Sequence, residues 1–137
     1  MESARNDYHI RIFALVNLLV NFVVTRKITA YKNHFVDFYK SQDTKIQRKI
    51  EFVFDLVRFE KHIPKRFFRF LSDTDGIYEI RVITTFKSIR ILCFFDKGDL
   101  IVLTNCFLKK TQKTPMKEIK LAERLKREYM IDKYGGH

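Results

Sequence analysis

Glu79 and Arg81 stand two residues apart in Ile77-Tyr-Glu-Ile-Arg-Val-Ile83, and Arg90 stands in Ile89-Arg-Ile-Leu92. Apolar and polar residues alternate in both stretches, which marks them as strands and puts Glu79 and Arg81 on one face. Arg90, between Ile89 and Ile91, leaves the face on which those residues pack and is expected to be free to meet a ligand. A loop through Thr84–Ser88 would bring it beside the other two. One carboxylate with two guanidiniums suits metal-independent cleavage of RNA. A base takes the proton of the 2′-hydroxyl, and arginines stabilise the charge that develops on the phosphorane. The same residues also suit a cross-strand salt bridge on a solvated sheet face, which by spacing alone is the commoner arrangement.

The second group of candidates is cationic. Lys109–Arg127 holds eight Lys or Arg against Glu118 and Glu123, and Arg58–Arg69 holds five against Glu60. Lys109, Lys110 and Lys113 follow the last strand at a sheet rim. Together with Lys117 they are expected to contact phosphates, each contact releasing a counterion and making binding salt-dependent. A merely solvated surface is the alternative. Across the chain 27 Lys and Arg face 16 Asp and Glu, a net charge of +11. A small domain this basic meets polyanions: nucleic acid, an anionic membrane or an acidic protein. The histidines add little, with His9 and His137 near the ends, His34 read as part of a strand and His62 as a surface residue. Cys93 and Cys106 lie in apolar runs and read as small buried hydrophobes in a reducing cytoplasm, not as a disulfide framework. No CxxC, HExxH, GxxxxGK[ST] or GxGxxG motif occurs. No metal or cofactor is therefore expected.

The elements that must position these groups follow from pattern. A chain of 137 residues, 46% hydrophobic, suits one domain with one core. Ile12–Val24 (IFALVNLLVNFVV) is shorter than the ~20 residues of a membrane span. It reads as a packing helix, a membrane-active segment or sequence upstream of the true start. The last is the expectation, which gives an extension over residues 1–24 and a domain over 25–137. Ile28–Tyr39 is rich in β-branched and aromatic types and reads as a strand. Asp43 is placed to cap a helix whose stripe is Ile46, Ile50, Val53, Phe54 and Val57, ending near Glu60. Pro64 is expected to open a second, shorter helix to Leu71. After a turn at Asp73–Gly76 come strands Ile77–Ile83, Ile89–Phe95 and Leu100–Phe107, the last two joined by a turn over Asp96–Asp99. Thr114-Pro115 opens a closing helix with the stripe Met116, Ile119, Ala122, Leu125 and Tyr129. The sum is an α+β domain: a largely antiparallel sheet, two N-terminal helices and a C-terminal helix.

Gly76-Ile-Tyr-Glu-Ile-Arg81, then Ile89-Arg-Ile-Leu92 with Phe94-Phe95-Asp96, then Phe107-Leu-Lys-Lys-Thr-Gln-Lys-Thr-Pro115 form an ordered set. That set resembles the RelE/ParE superfamily of type II toxins, in particular its HigB-like, phage-derived branch, over roughly Ile28 to Met130. The resemblance implies a compact RelE-like fold and a cytoplasmic toxin that cleaves mRNA, commonly on the ribosome. It also implies neutralisation by a cognate antitoxin of helix-turn-helix, HigA-like type, with no stable membrane association. Residue by residue, it implies that Arg90 stabilises the scissile phosphate and that Arg81 assists at the 2′-hydroxyl. Lys109 and Lys110 fall where such toxins carry basic residues, one of which protonates the leaving oxygen; Lys110 is the expected donor. Glu79 stands where the best-studied nuclease type has a lysine, and Met116 where an aromatic residue stacks on a base. The same strand motifs occur in the ParE-like branch, whose members inhibit DNA gyrase. A catalytically decayed, nucleic-acid-binding relative is the other alternative.

Overall fold

The computed structural model describes residues 26–135, together with Arg11, Ile12 and Leu15, which are helical and exposed. The remainder of the 1–24 extension, His9 and His137 lie outside the described residues. The order is β1 (Lys27–Ala30), α1 (His34–Ser41), α2 (Thr44–Phe59), β2 (Phe68–Phe70), β3 (Tyr78–Ile83), β4 (Ser88–Asp96), β5 (Leu100–Leu108) and α3 (Met116–Tyr134). The strands form one sheet in the order β1-β5-β4-β3-β2. Among the described residues only β1 against β5 is parallel. The fold is thus the expected α+β arrangement, with a mostly antiparallel sheet, two early helices and one C-terminal helix.

Two of those elements differ from the sequence reading. The strand expected over Ile28–Tyr39 ends at Ala30, and α1 begins at His34, so His34 opens a helix and is not in the strand. Phe35, Val36, Phe38 and Tyr39 all pack on the core. Their spacing is that of one helix face, and the turn at Lys32, with its φ of 59°, lets the chain reverse onto it. The helix expected over Pro64–Leu71 is instead a turn followed by β2. Phe67 and Phe68 donate their amides to the Pro64 carbonyl, and then Phe68 pairs with Ile80 of β3. The Phe68 ring stacks on Tyr78 at 5.1 Å and meets the Phe95 edge at 5.9 Å. Cross-strand aromatic packing outweighs the helix start that Pro64 suggests.

Asp43 caps α2 as expected, its carboxylate accepting from the Ile46 amide at 2.9 Å. Ile46, Ile50, Val53 and Val57 are buried against Ile80, Val82, Ile89, Ile91 and Cys93 on one sheet face. On the other face Ile77, Leu92, Phe94 and Val102 pack against Ala122 of α3. Strand β4 is therefore covered on both sides, and Arg90 belongs to the α3 side with Leu92 and Phe94. Met116 is exposed and plays no part in the α3 stripe. Both thiols are free and sit in or against the core, and burial pushes that of Cys106 up to about 12.

Asp96 fastens α3 to the β4–β5 turn. Its carboxylate accepts from the Tyr129 and Tyr134 hydroxyls and the Lys133 ammonium, each at 2.7 Å, and from the Lys97 amide at 2.8 Å. Burial alone would raise this carboxyl, but the donors together hold it well below the usual carboxylate range. A depressed folded value means the stabilisation is complete above the unfolded value, near pH 4, and is lost as pH falls below it. Asp96→Asn is expected to cost about 1.5–3 kcal/mol at neutral pH, and the variant should lose less further stability on acidification than the wild type. Urea unfolding followed from pH 7 to pH 3 checks both.

Candidate functional site

Strands β3 and β4 pair with Arg81 directly opposite Arg90, and Glu79 opposite Leu92. The expected juxtaposition is therefore present. Glu79 Oε1 lies 3.6 Å from Arg81 Nε and 3.4 Å from Arg90 Nε. Glu79 Oε2 accepts from the Thr114 hydroxyl at 2.6 Å. Thr114 sits immediately before Pro115, the residue that caps α3, so the segment leading into that helix folds back over the strands.

That cover changes the roles. The Arg90 and Glu79 side chains are each 3% exposed, and Arg81 is 22% exposed. Arg90 is not free to meet a ligand, as alternation alone suggests, because its side chain is almost wholly buried on the sheet face that α3 packs against. Nor is the trio a salt bridge on a solvated face. Arg90 donates one guanidinium N–H to the Ile89 carbonyl at 3.1 Å, while its Nε and that of Arg81 are buried without a hydrogen-bond partner among the described residues. Glu79, with one oxygen between two guanidiniums and the other on Thr114, is placed to hold the arginines and not to collect a substrate proton.

Two further cations complete the cluster. Lys109 donates its amide to the Ser88 carbonyl at 2.7 Å, which continues the β4–β5 pairing past Leu108. Arg69 of β2 pairs opposite Glu79. Burial, and next the Arg90 charge, hold the Lys109 ammonium below its ordinary value, with Arg81 and Arg69 adding to the effect and Glu79 opposing it. Arg90 is lowered in the same way, first by burial and then by Arg81. Four cations thus surround one carboxylate, and a bound oxyanion would supply the missing negative charge. Lys110, Lys113 and Lys117 are exposed, and among the described residues they form no ion pair. Lys109 is the lysine tied electrostatically to the arginines. His62 is exposed.

Arg69 and Thr114 are absent from the sequence-derived set. Arg69 was visible only as part of a basic run, since its place depends on β2 pairing with β3. Thr114 gave a helix-start signal and no hint of its bond to Glu79. Among the described residues, no three His, Cys, Asp or Glu side chains are grouped so as to hold a metal ion. No helix among them is long and apolar enough to cross a membrane.

Residues 37–127 match the family model described as phage-derived protein Gp49-like (DUF891). The span contains every residue of the cluster. No curated protein matches the chain.

Proposed function

The chain belongs to the Gp49-like family of phage-derived proteins, a family of RelE-toxin-like proteins, and on that premise we propose that it is the HigB-like toxin of a type II toxin–antitoxin pair, an endoribonuclease acting on mRNA. The observation that supports this most is the excess of cations around Glu79, with Arg81 at its open edge. The partly exposed Arg81 guanidinium receives the scissile phosphate, and Arg90 adds positive field from behind it. The 2′-oxygen attacks phosphorus, forming the P–O2′ bond as the P–O5′ bond breaks. The 2′ proton passes to solvent. Lys109, its ammonium already weakened by its neighbours, gives a proton to the departing 5′-oxygen. This moves the proton-donor role from Lys110 to Lys109. Lys110, Lys113 and Lys117 hold the flanking phosphates. Glu79 keeps both arginines in place before substrate arrives, so the field costs no rearrangement during reaction.

The partners in this reading are mRNA, the ribosome and a helix-turn-helix antitoxin, met in the cytoplasm. The burial of Glu79 and Arg90 favours one other reading, a relative that binds RNA without cutting it. Incubation of the purified full chain with mRNA, with chelator in the ribosome-free mixture and with ribosomes in their magnesium buffer in the other, is expected to shorten the message. Intact mRNA in both mixtures would remove the nuclease. Gyrase inhibition alongside intact mRNA would point to a ParE-like toxin.

A further inference from the structure

The β3–β4 turn and the first half of α2 enclose a groove that takes no part in the cationic cluster. Thr84–Lys87 is a tight turn: Thr84 donates its amide to the Lys87 carbonyl at 2.8 Å, and its hydroxyl accepts from the Lys87 amide at 3.0 Å. The Lys87 ammonium donates to the Gln42 side chain at 2.9 Å, which ties the turn to the α1–α2 junction. Between turn and helix lies a groove of about 830 Å³. Its apolar surface comes from Ile83 and Phe52, each half exposed, and from Phe86, which is 93% exposed. An aromatic ring left almost wholly in water beside two more exposed apolar side chains is a surface that gains by being covered.

The charge around the groove is one-sided. Lys45, Arg48, Lys49 and Lys87 line it, and the one carboxylate among the described residues that line it, Asp43, is already occupied in capping α2. No acidic residue stands in the first turn of α2. Lys45 stands in the first turn of α2, where a cation opposes the helix dipole, and Arg48 and Lys49 follow it in the next turn. Acidic groups arriving there would relieve both the mutual repulsion and the helix end.

We propose that this groove is the docking site for an amphipathic helix of a protein partner, its apolar face on Phe52, Ile83 and Phe86 and its acidic flanks on Lys45, Arg48, Lys49 and Lys87. A second copy of this chain would bring more positive charge to a rim that is already positive, given the net charge of +11. A membrane needs only a single inserted apolar tip, whereas here Phe86 shares one groove with Phe52 and Ile83 and the Lys87–Gln42 bond ties its turn to the α1–α2 junction. The proposal does not rest on RNA cleavage.

The test uses the full chain and a labelled helical peptide of about four turns, with Leu at i, i+3, i+4 and i+7 and Glu on both flanks. Its twin carries Lys in place of Glu. The acidic peptide should bind at least about ten-fold more tightly than the twin, and Phe86→Ser should weaken it by about ten-fold or more. The pair Lys45→Glu and Lys49→Glu should do the same, while Lys120→Glu with Arg127→Glu on α3, an equal change of charge, should not. Phe86 is exposed, so its replacement leaves the core untouched. Equal binding of the two peptides, or indifference to Phe86→Ser, would overturn the proposal. So would Phe86-dependent capture by phosphatidylserine vesicles without peptide binding, or Phe86-dependent dimerisation in sedimentation.

Discussion

Replacing Glu79 by alanine is expected to destabilise the protein by about 3–5 kcal/mol, a large part of the roughly 5–15 kcal/mol available to a small domain. The reason is what the substitution leaves behind. Arg90, 3% exposed, would keep its charge in the sheet–helix interface with no carboxylate beside it. Arg81, Lys109 and Arg69 would repel it without opposition, as their effect on its ordinary ionisation already indicates for Arg81 and Arg69. Thr114 would also lose the acceptor that draws the segment before α3 onto the strands. Glu79→Gln keeps that acceptor and the shape but removes the charge, so its cost should fall between wild type and alanine. Adding Arg90→Met to Glu79→Ala should restore part of the loss, because removing both members of a buried pair costs less than removing one. Urea unfolding of the four proteins measures this. A Glu79→Ala stability within about 0.5 kcal/mol of wild type would mean that the ion pairs do not organise the site.

The second large effect is on chemistry. Arg81→Ala is expected to lower the rate of RNA cleavage by about 100- to 1,000-fold, the usual cost of one preorganised donor to a developing oxyanion. Its fold should survive, because Arg81 is partly solvated and Glu79 retains Arg90 and Thr114. Arg81→Lys should recover only part of the activity, since an ammonium does not present the planar pair of donors that two phosphate oxygens accept. The alternation of strand residues ranks Arg90 first among the arginines, and burial reverses that ranking for experiment. Arg90→Ala should also abolish cleavage, but with a loss of stability that Arg81→Ala avoids. Lys109→Ala should lower turnover, whereas Lys110→Ala should weaken binding. Single-turnover rates at saturating RNA, with circular dichroism for fold, separate these outcomes. Full activity in Arg81→Ala would remove the arginine from the reaction.

The trio of Glu79, Arg81 and Arg90 was readable from sequence because β3 alternates with period two, Arg90 stands between Ile89 and Ile91 at the start of β4, and the connecting loop is short. The Asp43 cap, the α2 stripe and the β4–β5 turn were readable for the same local reasons. The residues after Ala30 are of strand-favouring types, so composition alone extends β1 past its end, although their spacing is that of a helix face. Phe67-Phe68-Arg69-Phe70 alternates poorly, so nothing local announced β2, and Arg69 was lost with it. The bond from Thr114 to Glu79 joins residues 35 positions apart in the chain, and no local pattern records such a return. The choice of Lys109 over Lys110 turns on the register at the end of β5. There the pairing slips by one residue between Ile91–Cys106 and Cys93–Leu103. A bulge of that kind re-aims every side chain beyond it.

In the proposed function the cationic cluster cleaves RNA through the substrate's own 2′-hydroxyl. Analysis of the ends made from a labelled RNA oligonucleotide, with ribosomes in magnesium buffer where they are required and with chelator in the ribosome-free reactions, tests it most directly. Cleavage is expected to leave a 2′,3′-cyclic phosphate and a 5′-hydroxyl, and to stop when the nucleotide before the cut carries a 2′-deoxy sugar. Salt-sensitive binding with no new ends, or cutting that is unaffected by the 2′-deoxy substitution, would contradict it.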